Sequence, residues 1–189
     1  KNQSRVASLR EYLTALIDNV PDGSFVSLTA FDSNATDMFS QPVSSATRQI
    51  FKDKVAQLNA NSSTNMTLGL ATATQAYLSH LGGQTAKLPM LFVLLTDGNP
   101  TCVLWPMLQQ RNNELPPELK PLKELLASPG GHRFYGVGVG REFNEAMLQE
   151  LARRLAGTAS VVLPASDMAT VREHFTDMLG SQIRPRPST

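Results

Sequence analysis

The 189 residues contain one cysteine, Cys102, and a lone thiol excludes both a disulfide framework and a cysteine-rich metal cluster. Long apolar runs are missing too. None approaches the ~20 residues that span a bilayer, so no transmembrane helix is expected. Neither sign of charge is in excess: 17 Lys and Arg against 16 Asp and Glu leave a net charge of +1. That balance excludes a strongly electrostatic nucleic-acid binder and an acidic disordered tail. The sequence has no Gly-x-Ser-x-Gly nucleophile elbow, and it shows no phosphate-cradling loop with a Walker-type lysine. The opening residues, Lys1-Asn2-Gln3-Ser4-Arg5, lack the apolar stretch of a secretory leader. A cytoplasmic location is therefore expected, with the extracellular space or the periplasm as alternatives. Asn-x-Ser/Thr patterns at Asn2, Asn34, Asn61 and Asn65 arise readily in a chain rich in serine and threonine, and do not change that expectation.

What is present suits a single core. A chain of this length with 41% hydrophobic residues makes one globular domain, expected over 1–183. The tail over 184–189 opens Arg184-Pro185-Arg186-Pro187, which cannot continue a helix and reads as a linker.

Val6, Leu9, Leu13, Leu16 and Ile17 recur at helical spacing and predict a helix over Ser4 to Asp18, stopped by Pro21-Asp22-Gly23. Ser24 to Phe31 alternates like a strand. Asp32-Ser33-Asn34 then turns into a weaker strand near Thr36 to Ser40, and so short a link requires an antiparallel hairpin. Helices are predicted over Ala46 to Leu58 and over Leu68 to Leu81. The second carries Gly69, Ala71, Ala73 and Ala76 for close packing and ends at Gly82-Gly83. Pro89 to Leu95 is continuously apolar, which predicts a strand buried on both faces. After an irregular excursion from Thr101 to Pro121, the pattern reads helix (Pro121 to Ala127), strand (Phe134 to Val139), helix (Asn144 to Ala156), strand (Ala159 to Leu163) and helix (Asp167 to Gln182). This alternation predicts an α/β fold: a doubly wound, mostly parallel sheet with one antiparallel edge hairpin and helices on both faces. A chain opening on an amphipathic helix also calls for a preceding strand to complete the first right-handed crossover. The first central strand is thus expected to be missing from these residues.

Ligands of doubly wound sheets bind outside the carboxyl ends of the strands. Two polar groups fall there. Asp97 follows the most apolar strand, and the Ser62-Ser63-Thr64-Asn65 loop precedes the small-residue helix. Converging hydroxyl and carboxylate oxygens suit a hard cation such as Mg²⁺. Thr64 has a second reading as a helix N-cap; Ser62, Ser63 or Thr67 are alternative caps that leave its hydroxyl free. Asp97 has one as a turn former before Gly98.

At these residues the sequence resembles the von Willebrand factor type A domain, of a bacterial type. The resemblance rests on Phe31-Asp32-Ser33-Asn34-Ala35 closing a strand, Ser63-Thr64-Asn65-Met66 before a helix, and Leu95-Thr96-Asp97-Gly98. It continues through Gly136-Val137-Gly138-Val139-Gly140 and the helix with Phe143, Leu148, Leu151 and Ala152. It implies a Rossmann-like fold and a metal-ion-dependent adhesion site (MIDAS) built from three loops. Thr64 matches the family's metal-binding threonine and Asp97 its aspartate. The third element, Asp-x-Ser-x-Ser, has no full match: Asp22-Gly23-Ser24-Phe25-Val26 ends in valine, and Asp32-Ser33-Asn34 lacks the first serine. The resemblance therefore implies Mg²⁺ or Mn²⁺ binding by the complete domain, and weak or no binding by this segment alone. It implies a non-enzymatic module whose cation takes a carboxylate from a partner protein, without nucleic acid and without membrane insertion. A metal-independent scaffold with a degenerate site is the alternative, and an α/β hydrolase or phosphotransferase a further one.

Other chemistry-bearing residues read more plainly. Asp32 and Ser33 are expected to form the hairpin turn. Gly136, Gly138 and Gly140 miss the Gly-x-Gly-x-x-Gly register of a dinucleotide loop and are expected to allow close backbone approach. His80, His132 and His174 show no metal-ligand spacing and are expected at surface or boundary positions. Cys102 reads as a loop or packing residue. Leu104, Trp105 and Met107 form either a partner-binding lip or loop packing.

Overall fold

A computed structural model describes residues 2–59, 65–84, 88–96, 115–139 and 144–165, together with Ala169, Glu173 and Thr176, which are helical. Helix α1 (Asn2–Asn19) leads into the antiparallel strands β1 (Phe25–Phe31) and β2 (Ala35–Pro42), then α2 (Ser45–Ala56) and α3 (Met66–Leu81). Strand β3 (Leu91–Thr96) follows. A 3₁₀ turn (Pro117–Leu119) runs into α4 (Lys120–Ala127), and β4 (Arg133–Val139), α5 (Glu145–Ala156) and β5 (Ser160–Ala165) complete the order.

Local chemistry explains most boundaries. The hairpin turn is closed by Asp32, whose Oδ1 accepts the Asn34 N–H at 2.7 Å and whose own N–H reaches the Asn34 carbonyl at 2.7 Å. This is the Asx geometry that Asp favours in turns. Strand β2 is longer than its composition suggested, because all its residues but Met38 pair with β1, from Phe31↔Ala35 to Phe25↔Pro42, across a bulge at Leu28/Thr29. Helix α2 opens on a capping box in which Ser44 Oγ accepts from Thr47 N–H while Thr47 Oγ1 accepts from Ser44 N–H. The exit from α1 is held by Arg48 of α2, which donates to the Ile17 and Val20 carbonyls at 3.3 and 2.5 Å and pairs with Asp22.

Strands β3, β4 and β5 form a parallel sheet in that order, in register from Leu91↔Arg133 to Thr96↔Gly138 and from Phe134↔Ser160 to Val139↔Ala165. Helices cover both faces. On one face, Tyr12 of α1 packs with Tyr135 and Val137, while Leu13, Ile17 and Val20 pack with Phe39, Phe51 and Val55. On the other face, α3, α4 and α5 supply Met66, Leu70, Leu122, Leu148 and Leu151 to a core with Leu94 and Phe134. Close approach is built in by glycine. A Cβ on Gly69 would stand 2.5 Å from Phe31 Cγ, and one on Gly136 would stand 3.0 Å from Leu148 Cδ1. Gly82 stops α3 in the left-handed region at φ 58°.

Two expectations need correction. Strand β3 is not buried on both faces: only Leu94 and Thr96 are buried, and Leu91, Phe92, Val93 and Leu95 are half-buried. Its side away from β4 has no strand partner among the described residues. His132 is not a boundary residue either. It is 3% exposed, with Nδ1 accepting the Met90 N–H at 2.8 Å, so it ties the start of β4 to the start of β3. The expectation followed from the lack of a metal-ligand spacing around it, whereas its burial comes with the bond to Met90, just before β3. His80 is exposed as expected, and its ring stacks on Phe25 with centroids 3.7 Å apart. Cys102, Leu104, Trp105, Met107, Gly140 and His174 lie outside the described residues, as does most of the helix expected over Asp167 to Gln182.

Candidate functional site

Three strand ends and two helix starts assemble one rim. Helix α3 begins next to the end of β1, where the Asn65 N–H donates to the Asp32 carbonyl at 2.5 Å. Its last turn comes back to the start of β1, where His80 lies on Phe25. Helix α3 therefore runs antiparallel to β1. Strand β3 follows α3 in the chain, so a chain that leaves α3 beside the start of β1 and enters β3 there runs β3 parallel to β1. The carboxyl ends of β1 and β3, and of β4 beside β3, consequently share one edge of the molecule, together with the starts of α3 and α5.

The sequence placed its two site residues, Thr64 and Asp97, on this edge. Both lie outside the described residues; their neighbours Asn65 and Thr96 are described. Thr96 ends β3 in a buried position, paired with Gly138 of β4. Asn65 is the N-cap of α3, its Oδ1 accepting the Leu68 N–H at 3.0 Å. That finding settles which residue caps this helix. It is none of Ser62, Ser63, Thr64 or Thr67, and the helix starts at Met66, two positions before the expected Leu68. The signal was available, since Asn ranks among the strongest N-caps. The opposite end of the rim repeats the device, with Asn144 Oδ1 accepting from Met147 N–H at 3.0 Å at the start of α5.

Among the described residues no group of three or more His, Cys, Asp or Glu side chains could hold a metal ion, and one Asp32 carboxylate oxygen is engaged in its own turn. Two oxygens, the number that the sequence expectation gives to Thr64 and Asp97, would leave most of a six-coordinate shell to water.

The family model of the von Willebrand factor type A domain matches residues 2–176. The chain belongs to that family. Its fold is similar to that of a von Willebrand factor type A protein from Catenulispora acidiphila, with TM-score 0.71 and 22% identity over 94% of this chain and 38% of that one. It is similar also to proximal thread matrix protein 1 from the mussel byssus, in a structure whose MIDAS motif is occupied by zinc. There the TM-score is 0.60 and the identity 16%, over 91% of this chain and 40% of the other. The PilB minor pilin from Streptococcus sanguinis matches with TM-score 0.63 and 17% identity, over 94% and 54% of the two chains. At such identities the likeness shows the fold alone, and this chain spans well under two thirds of each of these proteins. No curated protein matches. Von Willebrand A domains are in general non-enzymatic interaction modules, often with a metal site at this edge of the sheet. The Asp-x-Ser-x-Ser element has no full match in the sequence of this member. No helix among the described residues is long and apolar enough to cross a membrane.

Proposed function

We propose that this von Willebrand A domain is a non-enzymatic interaction module that binds an acidic side chain of a partner protein at the carboxyl-end rim. Thr64 Oγ1 and the Asp97 carboxylate would hold a divalent cation, Mg²⁺ or Mn²⁺, in the complete domain. Such a cation supplies a concentrated positive charge and an open coordination position for the incoming carboxylate. The observation that carries the reading is the capping of α3 by Asn65. A threonine at an N-cap spends its oxygen on a backbone N–H. With Asn65 capping, and its N–H fixed to the end of β1, α3 does not call on the Thr64 hydroxyl for its cap.

Titration of the chain with Mn²⁺, followed by electron paramagnetic resonance, tests the reading. With two protein oxygens the expected dissociation constant is about 1 mM or weaker, and Thr64→Ala or Asp97→Ala weakens it further. Binding untouched by either substitution would refute the site. Partner capture that survives chelation by EDTA would favour a scaffold with a degenerate site, and hydrolysis of a nucleotide would favour an enzyme.

A further inference from the structure

The parallel sheet is closed at its amino-terminal edge by a side chain. Met90, one residue before β3, accepts the Arg133 N–H on its carbonyl at 2.9 Å, which continues the ladder between β3 and β4. Its own N–H donates to Nδ1 of His132 at 2.8 Å. The ring thus does for that N–H what a carbonyl does further along the ladder. Met90 is itself a core residue, clustered with Leu94 and Phe134, so the bond also anchors the first side chain of the core.

One charge state of the ring can make that bond. A ring nitrogen that accepts carries no proton, so the proton of the neutral imidazole sits on Nε2. Nε2 is buried and has no hydrogen-bond partner among the described residues. The turn before β4 closes over it, since a Cβ on Gly130 would stand 3.1 Å from Nε2. A second proton would go on Nδ1 and meet the Met90 N–H, and the charge would find an acceptor at neither nitrogen. No described charge compensates. Leu88 to Thr96 and the turn over 128–131 are uncharged. The 3₁₀ turn and α4 carry Glu118, Lys120, Lys123 and Glu124, all exposed, α5 carries Glu145, Glu150, Arg153 and Arg154, and Arg133 follows in the chain. None of these bonds or pairs with the ring, whose one described bond is to Met90, and burial is what lowers its pKa.

We propose that His132 is an acid-operated clasp on the amino-terminal edge of the parallel sheet: neutral, it ties the start of β3 to the start of β4, and protonated, it leaves its place and lets the two starts part. The sign follows from linkage. The open edge takes up the proton more readily than the closed one, so the open fraction grows as pH falls through the ordinary imidazole range, and above that range the clasp is shut. The opening is local. It frees the Met90 N–H and the Met90 carbonyl, while the middle of the ladder, from Leu94↔Gly136 to Thr96↔Gly138, stays paired. The clasp lies at the end of β3 away from the carboxyl-end rim, so this inference is independent of any cation there.

Nitrogen-15 NMR of the 189-residue chain tests the clasp in two readings that need no variant. Near neutral pH the His132 ring should carry its proton on Nε2; a proton on Nδ1 would overturn the clasp. Below about pH 6.5, exchange of the Met90 and Arg133 amides, corrected for the intrinsic rate, should lose protection by up to about tenfold per unit. A local opening exposes little surface, so low urea should quicken exchange of Leu94 and Val137 but not of Met90. Met90 protection that is flat down to about pH 5 would overturn the clasp. So would protection that follows Leu94 in both level and urea response, because the proton then acts through global unfolding alone. His132→Asn, which keeps an acceptor, should hold the neutral-pH protection of Met90 and abolish its acid fall, and the same fall in that variant would overturn the assignment to His132. His132→Phe, which keeps the bulk without the acceptor, should leave Met90 exchanging fast at every pH; full protection there would show that the bond holds nothing.

Discussion

Replacing Gly69 by alanine should destabilise the protein, although the change improves an α-helix. Gly69 lies inside α3 and is buried. Helix propensity alone favours alanine there by about 1 kcal/mol. Against this, the new Cβ would stand 2.5, 2.7 and 2.9 Å from Cγ, Cδ1 and Cβ of Phe31. Two of those three atoms sit at the root of the ring, so a rotamer change cannot clear them and β1 or α3 must shift. Overpacking of this kind costs ~1–3 kcal/mol, and contact so near the backbone belongs at the upper end. The net expectation is a loss of about 2 kcal/mol, read from urea unfolding midpoints at constant slope. Phe31→Ala in the same background removes the two nearest atoms, Cγ and Cδ1, so the two changes should couple by about 1 kcal/mol or more. The shift also reaches the rim, because Asp32, next to Phe31, accepts the Asn65 N–H; exchange of that amide should quicken in Gly69→Ala and recover in the double variant. A Gly69→Ala protein as stable as the parent, or strictly additive effects, would refute the packing argument.

Asn65→Ala should cost about 1 kcal/mol through loss of the α3 cap, and Asn65→Asp should restore most of it, as measured by the same unfolding midpoints. Burial lowers the His132 pKa from its ordinary 6.5, so the unfolded chain binds the proton more readily. The associated stability is full above about pH 6.5 and is lost as pH falls below it. His132→Asn, which keeps an acceptor for Met90 N–H, should remove that acid-side slope; an unchanged slope between about pH 6.5 and 5 would show that another group carries it. Hydrogen bonds from Arg153 and Arg154, at 2.5 and 2.7 Å, hold the Glu150 carboxyl down to about 2. Its contribution is present above the ordinary carboxylate range and is lost as pH falls toward that value. NMR titration should locate the midpoint there, while Glu150→Gln at neutral pH leaves the unfolding midpoint nearly unchanged, because surface ion pairs contribute little.

The residues alone determined much of this protein. Periodicity and punctuation located the helices and strands, because the determinants lie within a few positions: the stripe from Val6 to Ile17, the Asp32-Ser33-Asn34 turn, the Gly82 stop. The small side chains of α3 announced its close packing, and the spacing of Thr64, Asp97 and the glycines of β4 announced the family. Tertiary structure decided what depends on partners distant in sequence. Asn65 rather than a hydroxyl residue caps α3, because its backbone is fixed by Asp32, thirty-three positions away. His132 is buried because the Met90 N–H finds its ring. Strand β3 reads as fully enclosed, since its composition records the neighbours it is suited to, yet its exposure depends on which edges are actually paired. Composition reports what a strand can bury; only the assembled sheet reports what it does bury.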